Sequence, residues 1–103
     1  MFPARLAPNA AAFNGRGRVY HEQGEYDRAI DDFTRAIELS PQSAVLYNNR
    51  SAAYELRGHV DRALTDCAQA LRLSPEHQFA KQNYDRLVER SRNPKSTSVS
   101  FKN

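Results

Sequence analysis

Gly24-Glu25-Tyr26-Asp27-Arg28-Ala29-Ile30-Asp31-Asp32-Phe33 returns further along the chain as Gly58-His59-Val60-Asp61-Arg62-Ala63-Leu64-Thr65-Asp66-Cys67, in nearly the same residue classes and 34 residues later. Extending the comparison without gaps, residues 10–41 and 44–75 are identical at 13 of 32 positions. The matches run in order: Ala10/Ala44, Asn14/Asn48, Arg16/Arg50, Tyr20/Tyr54, Gly24/Gly58, Asp27/Asp61, Arg28/Arg62, Ala29/Ala63, Asp32/Asp66, Ala36/Ala70, Leu39/Leu73, Ser40/Ser74 and Pro41/Pro75. A fixed period of this length means one supersecondary unit copied and stacked.

Within the unit, apolar spacing and stop signals predict two helices. Asn9 is expected to cap the first, which runs from Ala10 to Gln23 with Phe13 and Tyr20 seven residues apart on one face. Gly24 ends it, since glycine adopts the left-handed conformation at little cost. The second helix, Tyr26 to Leu39, carries Ala29, Ile30, Phe33, Ala36 and Ile37 on one stripe and stops before Pro41. The short connection makes the pair antiparallel. The second unit repeats the pattern, with Ser43 as the expected cap, helices over Val45–Arg57 and Val60–Leu73, and a stop at Pro75. A fifth helix, Glu76 to Ser91, begins where a third unit would start. Its spacing of Phe79, Ala80, Tyr84, Leu87 and Val88, interrupted by Lys81, Gln82, Asp85 and Arg86, suits a helix that caps the stack. The expected division is thus an irregular lead-in (1–8), a helical domain (9–92: units 10–43 and 44–77, capping helix 76–91) and a disordered basic tail (93–103). The expected core is Phe13, Tyr20, Ala29, Phe33, Ala36, Tyr47, Tyr54, Ala63, Cys67, Ala70, Tyr84 and Leu87.

Composition supports an ordinary globular chain, with 26% charged and 40% hydrophobic residues. Its formal charge of +3 sits at the C-terminal end, where residues 81–103 hold six Lys or Arg against Asp85 and Glu89. The one cysteine, Cys67, permits neither an intrachain disulfide nor a cysteine-rich zinc site, and reads as a small buried hydrophobe. No apolar run is long enough for a secretory signal or a membrane span, which leads to the expectation of a cytoplasmic protein.

With small, aromatic, Gly, Ala and Pro positions recurring at this spacing, the sequence resembles the tetratricopeptide repeat family over residues 10 to about 91. Arg16 and Arg50 depart from the leucine usual in that family, and Cys67 from its large residue. The resemblance implies an all-α fold of helical hairpins stacked as a right-handed superhelix, whose concave face is lined by the first helix of each unit. It implies a non-catalytic module that binds an extended peptide or a partner's helix there, with no cofactor. On that face fall Ala11, Asn14, Arg18 and His21, then Val45, Asn48, Asn49, Ala52 and Glu55, then Phe79, Gln82, Asn83 and Arg86. Asparagine amides offer donors and acceptors to a peptide backbone, while Arg18 and Arg86 offer forks for acidic groups. Asn49 and Arg86 are expected to contact the partner without holding the fold.

Val45-Leu46-Tyr47-Asn48-Asn49-Arg50-Ser51-Ala52-Ala53-Tyr54 is similar to the branch of co-chaperones that grips acidic C-termini of heat-shock chaperones through a two-carboxylate clamp. Asn49 matches that clamp's central asparagine. Asn14, Arg18, Phe79 and Asn83 stand where the branch has lysine, asparagine, lysine and arginine, which places chaperone tails behind a general peptide partner.

Other classes rank lower. Self-association into a homodimer or assembly is the main alternative, because two units and a cap fall short of the three repeats that a stack ordinarily needs. Nucleic-acid binding through Lys81, Arg86, Arg90, Arg92, Lys95 and Lys102 is disfavoured because much of that charge lies on the tail. No Gly-rich phosphate loop, nucleophile–base motif or histidine–metal spacing appears; His21, His59 and His77 occupy a helix face, a turn and a helix start. Asp31, Asp32, Asp61 and Asp66 read as surface charge, and Asn49-Arg50-Ser51 as a chance glycosylation match inside a helix.

Overall fold

The computed structural model describes residues 9–93. Five helices and no strand occur among them: α1 (Ala10–Glu22), α2 (Tyr26–Leu39), α3 (Ala44–Leu56), α4 (Val60–Leu73) and α5 (Gln78–Arg92). The expected lead-in, and the tail beyond Asn93, lie outside the described residues.

The helix stops work as the sequence suggests. Gly24 and Gly58 have φ of 81° and 93°, a region that side-chain-bearing residues rarely adopt. In that conformation the Glu25 N–H donates back to Tyr20 O at 2.8 Å, and the Gly24 N–H to His21 O at 3.1 Å. The second unit repeats both bonds, from His59 to Tyr54 and from Gly58 to Glu55. Carbonyls that α1 and α3 would otherwise leave open are satisfied in this way. Asn9 caps α1, its side chain accepting from the Ala12 N–H at 2.7 Å. Ser43 stands at the cap of α3 but its side chain makes no capping bond. For α5 the cap is His77, whose Nδ1 accepts from Ala80 at 3.2 Å, so the helix starts at Gln78 rather than Glu76.

Each hairpin packs α1 on α2 and α3 on α4, and the stack continues as α2 on α3 and α4 on α5. The core follows this order. Ala29 and Phe33 meet Ala53, Ala36 and Ile37 meet Leu46, and Ala63 and Cys67 meet Leu87. α3 is therefore buried on two sides, with Leu46 and Ala53 toward α2 and Tyr54 and Ser51 toward α4. Of the expected core, the aromatic Phe13, Tyr20, Tyr47, Tyr54 and Tyr84 are only half-buried, because their rings stand at the edges of the helix interfaces. Phe79 is not part of α5's packed face; it is 69% exposed.

Asp32 and Asp66 are not surface charges. Each is 3% exposed and receives a two-pronged arginine from the preceding helix. Arg16 donates from Nε (2.7 Å) and Nη2 (2.9 Å) to Asp32, and Arg50 from Nε (2.7 Å) and Nη2 (2.8 Å) to Asp66. Arg50 also reaches Thr34 Oγ1 on α2 at 3.1 Å, tying one hairpin to the next. The guanidinium of Arg16 lies over Phe13 and Tyr20, and that of Arg50 over Tyr47 and Tyr54, all at 5.7–6.0 Å. An arginine can fill a position built for leucine because its planar head stacks on rings while its donors meet a buried carboxylate.

Candidate binding groove

The first helices of the successive units touch one another directly. α1 meets α3 and α3 meets α5, whereas α2 and α4 are not brought into comparable contact. A stack that is closer along one edge curves toward that edge, so α1, α3 and α5 form its inner wall.

An amide ladder runs along this wall. Asn49 Nδ2 donates to Asn14 Oδ1 at 2.9 Å, and one unit later Asn83 Nδ2 donates to Asn48 Oδ1 at 3.0 Å. A shift of 34 residues converts the first bond into the second. Each amide spends one group on its neighbour and keeps the other for a ligand. Asn49 therefore has a structural task as well as a place inside α3 on the groove.

Beside the ladder, Arg18, His21, Glu22, Phe33, Asn49 and Ala52 surround a recess of about 130 Å³. Among the described residues Arg18 enters no ion pair. His21 sits edge-on to Tyr26, with ring centroids 5.4 Å apart. On the far side of the ladder, Ala11, Val45 and Phe79 occupy equivalent positions and are all exposed, the last two at 50% and 69%. They give the groove an apolar edge. Gln82 is exposed next to them.

The α3–α5 end is closed differently. Arg86 donates from Nη2 to Glu55 Oε1 at 2.6 Å and from Nε to Oε2 at 3.2 Å, and Arg90 Nη1 donates to Oε2 at 3.0 Å. Burial raises the Glu55 pKa, but the hydrogen bonds and charges of Arg86 and Arg90 outweigh it and hold the carboxyl below its ordinary value of 4.5. Glu55 is thus ionised at neutral pH. The expectation that Arg86 serves a partner without holding the fold needs correcting, since its fork is already filled from within the chain. Of the basic residues considered for phosphate contact, Arg86 and Arg90 are tied to Glu55, Lys81 and Arg92 are exposed and enter no ion pair among the described residues, and Lys95 and Lys102 lie outside the described residues.

Elsewhere, a larger and shallower hollow of about 530 Å³ lies between α1 and α2, lined by Phe13, Asp31, Thr34, Arg35, Glu38 and Leu39. Cys67 is fully buried; burial pushes its thiol pKa up despite a 3.0 Å contact with Ser51 Oγ, which disfavours the nucleophilic thiolate. His59 packs edge-on to Tyr54 and His77 caps α5, so the three histidines serve separate local roles. No group of three His, Cys, Asp or Glu side chains converges as a metal site among the described residues, and none of the described helices is long and apolar enough to cross a membrane.

Comparison with known proteins agrees with the fold of stacked helical hairpins. Two models described as tetratricopeptide repeat match residues 10–43 and 44–77. Curated proteins give no match. Among solved structures, the chain is similar to the second TPR of Spaghetti (RPAP3) bound to the HSP90 peptide SRMEEVD, at 30% identity and a TM-score of 0.76, covering 78% of this chain and 74% of that one. It is similar also to the second TPR domain of human RPAP3 in complex with the HSP70 peptide SGPTIEEVD, at 32% identity and TM-score 0.70, covering 73% and 62%. A third is the Sgt2 TPR domain from Aspergillus fumigatus, at 26% identity and TM-score 0.74, covering 76% and 52%. The chain thus spans from about half to three quarters of the length of these structures.

Proposed function

Since the chain belongs to the tetratricopeptide repeat family, we propose that it is a non-catalytic protein-interaction module whose inner wall captures an extended peptide carrying acidic groups. The observation that carries this reading is the combination of a half-used amide ladder with the unpaired Arg18 beside an open recess. A peptide backbone needs alternating donors and acceptors, which Asn14, Asn48, Asn49, Asn83 and Gln82 offer. A carboxylate needs an uncommitted cationic fork, which Arg18 offers. Val45 and Phe79 give apolar side chains of the peptide a place to leave water, and His21 and Ala52 flank Arg18, while Glu55 and Arg86 are paired with each other and make no contact with the ligand. Two relatives are bound to peptides ending in Glu-Glu-Val-Asp, which makes SRMEEVD the natural first probe.

Fluorescence anisotropy of labelled SRMEEVD tests the reading. Wild-type protein is expected to bind it, and Arg18→Ala to weaken binding at least about tenfold, the loss of one charge-assisted fork. Because Arg18 is exposed and unpaired among the described residues, its thermal melt should stay that of the parent. Equal binding by Arg18→Ala and wild type would sink the assignment.

A further inference from the structure

The two rungs of the inner wall are built on one plan and differ at one place. A shift of 34 residues carries His21 onto Glu55, Ala52 onto Arg86 and Leu56 onto Arg90. Between α1 and α3, the pairing of His21 with the small Ala52 coincides with the open recess beside Arg18. Between α3 and α5, the equivalent place is filled by Glu55, Arg86 and Arg90, joined by three hydrogen bonds of 2.6–3.2 Å.

We propose that Glu55 is a built-in carboxylate that closes the Arg86/Arg90 end of the groove to acidic ligands, so that an acidic peptide is received at the Arg18 end alone. The inference rests on the reading of the groove as a peptide site, and adds which end of it is active and which residue decides that. The surroundings of Glu55 and of Arg18 support it. The Glu55 side chain is only 12% exposed and meets both arginines, so both of its oxygens are engaged. An incoming carboxylate would have to displace a competitor that is already tethered in place and loses no translational freedom by staying. It would also strand a largely buried glutamate without partners, which is costly for any ion. By contrast, Arg18 enters no ion pair among the described residues, and the one carboxylate lining its recess, the exposed Glu22 one turn along α1, is not bonded to it. Glu55 thereby sets specificity, because a groove with free arginine forks at both ends grips ligands with two spaced carboxylates, and a groove with a free fork at one end grips a single carboxylate.

The test is SRMEEVD anisotropy on the full chain with Arg18→Ala, Arg86→Ala, Glu55→Gln and the double variant Glu55→Gln/Arg86→Ala. Arg86→Ala should bind within about twofold of wild type, since its fork is not offered to the ligand, whereas Glu55→Gln should bind about tenfold more tightly. The gain should shrink in the double variant, which leaves Arg90 as the one freed cation. Asp31→Asn, the same change of charge on the exposed face of α2, should leave affinity unaltered, which separates a local effect from a general loss of negative charge. A second measurement needs no variant: on adding peptide to wild type, the Nε–H resonance of Arg18 should shift and those of Arg86 and Arg90 should stay. If wild type binds through Arg18 but Glu55→Gln binds no more tightly, or the Arg86 resonance moves with Arg18, the Glu55 proposal is wrong and the groove reading survives. If neither wild type nor Glu55→Gln binds the peptide, both are wrong.

Discussion

Gly17 has no room for a side chain. A Cβ built there would lie 2.7 Å from Phe33 Cε1, closer than packed carbons approach. One unit later the same crossing holds Ser51 against Cys67, with Ser51 Oγ 2.7 Å from Ala63 O and 3.0 Å from Cys67 Sγ. Large against small in one hairpin becomes medium against medium in the other, and both crossings stay close-packed. Gly17→Ser alone should therefore destabilise by about 1–3 kcal/mol through overpacking, and Phe33→Cys alone by about 3–5 kcal/mol through the cavity it leaves. Combined, they recreate the second crossing within the first, so the double variant should be more stable than the sum of the singles by about 1–3 kcal/mol. Urea melts of the four proteins measure that coupling, and strict additivity would contradict it. In the sequence, Gly17/Ser51 and Phe33/Cys67 stand as two unrelated departures between the copies. Only the contact across the helices joins them.

At the level of the element, the hairpins are clasped by the Arg16–Asp32 and Arg50–Asp66 forks, and the two clasps differ in their surroundings. Arg16 is 58% exposed, because no earlier helix covers α1 among the described residues; Arg50 is 19% exposed, covered by α2 and Thr34. Removing the carboxylate leaves Arg16 free to turn to water but leaves Arg50 with a poorly hydrated charge. Asp66→Ala should accordingly cost about 3–5 kcal/mol, the range for breaking a buried pair, and Asp32→Ala nearer about 1 kcal/mol. Thermal or urea unfolding checks the order, and equal losses would show that α2 does not shield Arg50. This clasp was present in the sequence and readable by period. Asp32 sits three residues after Ala29 and four before Ala36, on the buried stripe, as Asp66 does between Ala63 and Ala70. It repeats 16 residues after an arginine in both copies, whereas Asp31 becomes Thr65. Reading charge as surface hides the signal, since burial of a carboxylate becomes tolerable only when its partner is known. Helix number, the glycine stops and the Asn9 cap were legible because they depend on neighbours a few residues apart.

For the whole molecule, the internal register shows how the ends differ. Val19, Ala53 and Leu87 are equivalent, and are 54%, 0% and 0% exposed. The second and third are covered by α2 and α4. Among the described residues the matching face of α1 is open, while α5 carries exposed Lys81, Asp85 and Glu89 on the side away from Leu87. The face that carries the proposed function was legible as a list of positions and not as chemistry. Which amides bond one another, and that Glu55 engages both Arg86 and Arg90, depends on α1, α3 and α5 meeting side by side, 31 to 35 residues apart in the chain.

The central claim is that this inner wall, and no other surface, receives the peptide. Its most direct test is the backbone amide spectrum of the nitrogen-15-labelled protein during titration with SRMEEVD. The account predicts shifts concentrated at Asn14, Arg18, His21, Asn48, Asn49 and Ala52, with Arg35, Glu38 and Arg72 on α2 and α4 unmoved. Shifts centred on α2 and α4, or none at saturating peptide, would contradict it.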